Sequence, residues 1–306
     1  MKVSVICPLY NAEAYLNKLH IGILNQELYD EFDLEIYYVL TESTDETERV
    51  LNDLNANYKV IKKDEFSHSL TRERMAYEFG KDIIVFISQD IIFKDNKWLY
   101  NLIKPIKERE CEASFSRQIS KYENIEKYTR EYNYKSETRI TSKNDINNLG
   151  IYTFFYSDAS SAVLGEIYRK LNAYDGRKLI INEDMYFANK LIESGYRIKY
   201  CSDSVIYHSH KFKMKDLFKR YFDTGVFFAE NIQFKKYSGN GTGIKMVKFI
   251  TKRTLEDKNY KCLLTIIPDF ASRFIGSNLG KKYKKLNTRI IKRFTSNKSY
   301  WIEKEV

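Results

Sequence analysis

The chain has 306 residues, 43% of them apolar and 15% aromatic, enough to bury a sizeable core and to exclude a disordered polypeptide. Its four cysteines, Cys7, Cys111, Cys201 and Cys262, are far apart and form no CxxC pair, which argues against a disulfide framework or a zinc ribbon and for a reduced compartment. The net charge of +10 sits in the tail: residues 245 to 306 hold 16 Lys and Arg against 5 Asp and Glu, leaving 35 basic and 36 acidic side chains before them.

The opening MKVSVICPLYN has neither the long apolar region nor the cleavage site of a secretory signal, and nowhere do 18 apolar residues run together. The expectation is therefore a cytoplasmic protein without a spanning helix. Val3 to Cys7 is a buried-strand candidate, followed by a turn at Pro8 and a helical pattern from Ala12 to about Gln26. Leu34 to Leu40 gives a second strand, and Ser43-Thr-Asp45 resembles the cap of a helix running to Leu54. Tyr58 to Ile61, Ser69 to Phe79 and Ile83 to Ile87 read as strand, helix and strand. Strands alternating with helices predict an α/β fold with a mostly parallel central sheet covered on both faces.

The second half is less regular. A helix is expected from about Tyr122 to Lys135, a strand and turn within Phe154 to Ala162, and a helix from Asn182 to Ser194 closed by Gly195. Two short strands, Arg197 to Cys201 and Val205 to His208, follow. This places a catalytic domain at 1–212 and a helical, basic region at 213–306. In the tail, Leu263, Ile266, Ile267, Phe270 and Phe274 recur at helical spacing, so an amphipathic helix lying on an anionic membrane surface is expected. A basic helix packed on the catalytic domain and a nucleic-acid contact are the alternatives; nucleic acid is the least favoured.

In a sheet of this kind ligands bind beyond the carboxyl ends of the strands. The segments there are Pro8 to Asn11, Thr41 to Asp45, Lys63 to His68 and Ser88 to Asp90, all rich in polar side chains. Neither GxGxxG nor a Walker A loop follows the first strand, which argues against a plain dehydrogenase or P-loop enzyme. Asp90 closes an apolar strand, where a carboxylate can hold Mg²⁺ or Mn²⁺ through oxygen or can merely end a turn.

Several segments, taken in order, resemble family 2 glycosyltransferases with a GT-A fold: VSVICPLYNAEAYL, STDET, SQD and NEDMYFANKLIESGYRIKY. EFSHSLTRE at 65–73 and YHSHKFKMKDLFKRYFDTGVFFAEN at 207–231 are similar to the bacterial rhamnosyltransferase branch, and the resemblance covers about residues 1 to 231. It implies that Pro8, Tyr10, Thr41, Glu42, Asp45 and Gln89 face the nucleotide, with Leu40 standing where many relatives carry an Asp against the base. His68 and Arg72 would meet the diphosphate, Asp158 the donor sugar or acceptor cleft, and Asp90 and His208 a divalent metal, with His210 nearby. Ser88 replaces the first Asp of a DxD motif, so the metal would have one carboxylate there. Asp184 is the expected general base and Glu183 its neighbour or alternative, though acidic residues at a helix start are also favoured by its dipole.

The implied reaction is inverting transfer of L-rhamnose from dTDP-L-rhamnose to a lipid-linked glycan at the inner face of the bacterial membrane. A UDP-hexose or UDP-N-acetylhexosamine donor is the alternative within the family. A non-catalytic binder of membrane or nucleic acid is the alternative outside it.

Overall fold

The computed structural model describes residues 1–28, 31–237, 242–302 and 304. Strand β1 (Lys2–Leu9) is buried at Val3, Val5, Ile6 and Cys7, as an apolar run in the middle of a sheet covered on both faces must be. It is followed by α1 (Glu13–Leu24), β2 (Asp33–Thr41), α2 (Thr47–Asp53), β3 (Asn57–Ile61), α3 (His68–Phe79) and β4 (Ile83–Ile87). Then come β5 (Ile92–Phe93), α4 (Trp98–Lys107), β6 (Ala113–Ile119), α5 (Ile125–Asn133), β7 (Arg139–Thr141) and α6 (Ile146–Leu149). Strand β8 (Ser160–Leu164), helices α7 (Gly165–Lys170) and α8 (Glu183–Glu193), and strand β9 (Ile198–Tyr207) complete the sheet region. The remainder is helical: α9 (Met214–Glu230), α10 (Thr242–Glu256), α11 (Tyr260–Lys281) and α12 (Thr288–Phe294). Of the expected helical region 213–306, residues 238–241, 303 and 305–306 lie outside the described residues.

The strand order is β3-β2-β1-β4-β8-β6-β9-β5, with β7 also on β9. The parallel part expected from alternating strands and helices is the β3-β2-β1-β4 half. Beyond it β8 runs antiparallel to both β4 and β6, which leaves β6 and β9 pointing the same way as β1 and β4. The C-terminal ends of β1, β2, β4, β6 and β9 therefore share one edge of the sheet, and that edge is where the polar segments lie.

Three local expectations need correction. The N-cap of helix α2 is Glu46, one residue past the expected cap Ser43 to Asp45, though the Asp45 carboxylate still accepts from the Thr47 amide that opens the helix, and from the Glu13 amide. Within the Phe154 to Ala162 segment the strand occupies only Ser160 to Ala162 and runs on to Leu164; a 3₁₀ turn, Gly150–Phe154, precedes it. The two strands predicted near residue 200 are one, β9. Its pairing with β6 jumps from Ser116↔Cys201 to Arg117↔Val205, so the residues between bulge out of the ladder without ending the strand.

The chain forms two compact units. One comprises 1–119, 134–177 and 184–208; the other comprises 120–133, 178–183 and 209–306. The first buries Val5, Leu16, Ile23, Val85, Trp98 and Leu102 between the sheet and helices α1 and α4. The second has a smaller core of Tyr128, Ile250, Cys262 and Ile266, from α5, α10 and α11. All four cysteines are buried thiols.

Candidate active site

At the end of β1, Tyr10 and Gln89 clasp the first and fourth strands together. The Tyr10 amide donates to Gln89 Oε1 at 2.8 Å, and Gln89 Nε2 donates to the Tyr10 carbonyl at 3.0 Å. Lys63, after β3, donates to the Tyr10 hydroxyl at 2.7 Å and lies over its ring at 4.8 Å. Tyr10 is still 39% exposed, so its ring offers a face at this edge on which a flat group can stack. Pro8 is half-buried in β1, Thr41 is buried at the end of β2, and Glu42 Oε2 accepts from the Lys63 amide at 3.4 Å.

Asp45 is held differently. Burial pushes its carboxyl up, but bonds donated by the Thr47 hydroxyl and by the Glu13 and Thr47 amides outweigh that and hold it below the usual carboxylate range. It ties the start of α1 to the start of α2. Asp158 also turns inward: it is 3% exposed and accepts from the Ser161 hydroxyl at 2.8 Å and the Tyr174 hydroxyl at 2.7 Å.

Asp90 and His208 are far apart in sequence and meet because of β5. This two-residue strand, just after Asp90, pairs antiparallel with the end of β9 through Ile92↔Tyr207 and Phe93↔Ile206. Asp90 is thereby delivered to the residue that follows Tyr207, and its Oδ1 lies 3.5 Å from His208 Nε2. On the other side of the ring, His208 Nδ1 is 2.9 Å from Gln118 Oε1. The Gln118 amide nitrogen donates to Ser157 Oγ at 2.9 Å, so its oxygen faces the imidazole. An amide oxygen only accepts, so Nδ1 carries a proton, and Nε2 is the nitrogen that faces Asp90. A carboxylate oxygen and an imine nitrogen facing one another require a proton or a cation between them. Oxygen plus imidazole is a donor set that suits Mn²⁺. His210 stands two residues beyond His208, so its backbone is tethered within about 7 Å of that of His208.

His68 opens α3 and is exposed; Ser67 caps that helix by accepting from the Leu70 amide, and Phe66 packs edge-on to the His68 ring at 5.0 Å. Arg72, one turn on, is 5% exposed. Burial drives the Cys7 thiol far up; Arg72 pulls it down and Asp90 pushes it up, so both charges lie in electrostatic reach of the end of β1. A second neighbourhood surrounds the buried Tyr156 hydroxyl, raised first by burial and then by Asp158 and Asp184. Asp184 is half-buried in the first turn of α8, just after Asn182 at φ 60°, and its Oδ1 accepts from the Met185 amide. Amides at a helix start favour a carboxylate that stays ionised. Glu183, which opens α8, is 9% exposed.

Residues 4–171 match the family model described as glycosyl transferase family 2. The chain belongs to that family. The transferase is 32% identical to the O-antigen chain rhamnosyltransferase WbaN of Salmonella anatum, over 87% of this chain and 86% of the relative. It is 31% identical to the O-antigen chain rhamnosyltransferase RfbN of Salmonella typhimurium, over 98% and 96%. Among solved structures, the mannosyltransferase PcManGT of Pyrobaculum calidifontis, in complex with GDP-Man and Mn²⁺, matches with a TM-score of 0.54 at 15% identity, over 98% of this chain and 84% of that one. The fold is GT-A, with a helical C-terminal region.

Two residues beside the candidate site carry no signal in the sequence. Gln118 and Ser157, which orient His208, lie in no motif. A polar residue at the end of the otherwise buried β6 was the available hint, since a 1% exposed glutamine needs partners. Lys63 lies in the polar segment Lys63 to His68, where residue type alone does not set it apart from its neighbours.

Proposed function

We propose that the transferase moves L-rhamnose from dTDP-L-rhamnose, with inversion, to a hydroxyl of a lipid-linked saccharide at the inner face of the membrane. The observation that carries it is the Asp90 and His208 pair, zipped together by β5 at the sheet edge of a chain about one third identical to two O-antigen chain rhamnosyltransferases. In this reading residues 1–212 carry the chemistry and 213–306 the attachment to the membrane.

Asp90 and His208 would hold a divalent ion, Mn²⁺ or Mg²⁺, whose chemistry is to stabilise charge on the departing diphosphate. Arg72 and His68 assist by hydrogen bonding and charge, and Tyr10, Thr41, Glu42 and Gln89 receive the nucleoside. Asp184 takes the proton from the acceptor hydroxyl as its oxygen bonds to the anomeric carbon. The bond from that carbon to the diphosphate oxygen breaks, and the electron pair leaves with dTDP. Glu183 positions the acceptor.

The test is nucleoside diphosphate release from dTDP-L-rhamnose, UDP-glucose and UDP-N-acetylglucosamine with Mn²⁺, Mg²⁺ or EDTA. Metal-dependent release from dTDP-L-rhamnose alone is expected. Release from a UDP-sugar instead replaces the donor and keeps the mechanism. Asp184→Asn is expected to lower kcat by about 10²- to 10⁴-fold with donor binding kept; near-normal transfer would remove Asp184 from the role of base.

A further inference from the structure

Helix α11 has one face inside the second unit and the other outside it. At 3.6 residues per turn, Cys262, Ile266, Asp269, Gly276 and Gly280 share the buried side. Gly276 and Gly280 give the helix backbone close approach to α9: a Cβ on Gly280 would lie 2.0 Å from the Phe222 carbonyl oxygen. The opposite side carries Tyr260, Leu264, Ile267, Ala271, Phe274 and Ile275, all exposed. Leu264 and Ile267 are each 81% exposed and Phe274 72%, far more than isolated surface apolar residues need be. The stripe runs most of a helix about 33 Å long.

Its electrostatic setting selects the partner. Between residues 258 and 302 the acidic side chain is Asp269 alone, and it is buried and paired with Arg273. Ten Lys and Arg of the same stretch are exposed, among them Lys261 at the start of the helix and Lys281, Lys282, Lys284 and Lys285 around its end. An apolar stripe with cations at both ends and no exposed carboxylate between residues 258 and 302 fits a surface that is anionic outside and hydrocarbon within. No described helix is long and apolar enough to cross a membrane. A helix lying in the interface needs no such length.

We infer that α11 docks flat on anionic lipid, burying Leu264, Ile267 and Phe274 among the acyl chains while the lysines at its ends meet the headgroups. This deepens the membrane location proposed above by assigning it to one helix face. The tail sequence pointed to Ile266 as part of that face, together with Leu263 and Phe270. Ile266 is instead in the core of the second unit, with Leu263 and Phe270 packed against it.

The test is co-sedimentation of the full chain with phosphatidylcholine vesicles, with and without phosphatidylglycerol. Binding is expected only with phosphatidylglycerol and to weaken with salt. The L264Q/I267Q/F274Q variant should keep its fold, since all three side chains are exposed, and bind about tenfold or more weakly. Parent-like vesicle binding by this variant, or no binding by the parent, would overturn the assignment. A parent that sediments as a dimer while the variant is a monomer would overturn it too, giving the stripe to a second copy. Diphosphate release with a detergent-solubilised lipid-linked acceptor separates the two readings: its absence in the parent with vesicle binding intact sinks the transferase mechanism and not the docking face.

Discussion

Gln118 engages different partners with the two ends of its amide, the oxygen facing Nδ1 of His208 and the nitrogen donating to Ser157. That arrangement fixes which imidazole nitrogen faces Asp90, and a ring so fixed need not reorganise when a cation arrives. Orienting partners of this kind are typically worth about 10- to 100-fold in metal affinity. Gln118→Leu, which keeps the volume and removes both bonds, is expected to weaken Mn²⁺ binding by that factor in a calorimetric titration, with the thermal midpoint reporting separately on the fold. Unchanged affinity would mean that the His208 tautomer is set elsewhere. Asp90 and His208 were legible through the order of the family-like motifs, since a carboxylate closing an apolar strand can equally end a turn; the fold brings the two within 3.5 Å. Gln118 was not, because a neutral side chain 90 residues from its partner declares itself only when the strands are assembled. For Asp45 and Asp158 the family resemblance implied ligand contacts, and their described bonds run to neighbouring protein groups.

Elements were legible where the hydrophobic period is strong. β1, β2, β3, β4, α1 and α3 stand within about two residues of where periodicity puts them. β5 is two residues long, too short for any period, yet it joins Asp90 to His208; its pairing belongs to the tertiary structure. Helix α11 was legible as a helix and not in its facing, because the spacing of apolar residues does not say which side meets protein when both sides are apolar. Its glycines do say: Gly276 and Gly280 lie against the backbone of α9, and Gly225 of α9 lies against Ser277. At Gly280 a methyl group meets a backbone oxygen that no rotamer change can move. Gly280→Ala is therefore expected to destabilise by about 1–3 kcal/mol, as overpacking does. Gly243→Ala, on α10 with nothing within 4 Å, is expected to be neutral or to stabilise by up to about 1 kcal/mol. Urea unfolding midpoints that move together would show that the difference is not steric.

Across the whole molecule, the second unit takes 120–133 and 178–183 along with everything after 208, a discontinuity that a reading along the chain cannot show. The consequence concerns residues 178–183, which lead directly into Asp184. The segment after α12 holds them: Asn297 Nδ2 donates to the Ile180 carbonyl at 3.0 Å, and Lys178 Nζ donates to the Ser299 carbonyl at 3.3 Å. That segment is itself fixed by Asp223, fully buried in α9, which accepts from the Thr295 and Ser296 hydroxyls and the Ser296 and Asn297 amides. The C-terminal strap thus holds Lys178 and Ile180, a few residues before the proposed base. Asn297→Ala removes the bond to Ile180 together with those its Oδ1 accepts from the Ser299 hydroxyl and the Tyr300 amide, and leaves the amide bond to Asp223, so the strap should stay docked at Asp223 while the 178–182 backbone loosens. Small displacements of a reacting group cost up to about a hundredfold in rate, so kcat is expected to fall within that range, with KM for the donor unchanged and the thermal midpoint little altered. A fall in stability with kcat preserved would make the strap a fold element only. A rise in donor KM would shift its influence from the acceptor side of the reaction to the nucleotide side.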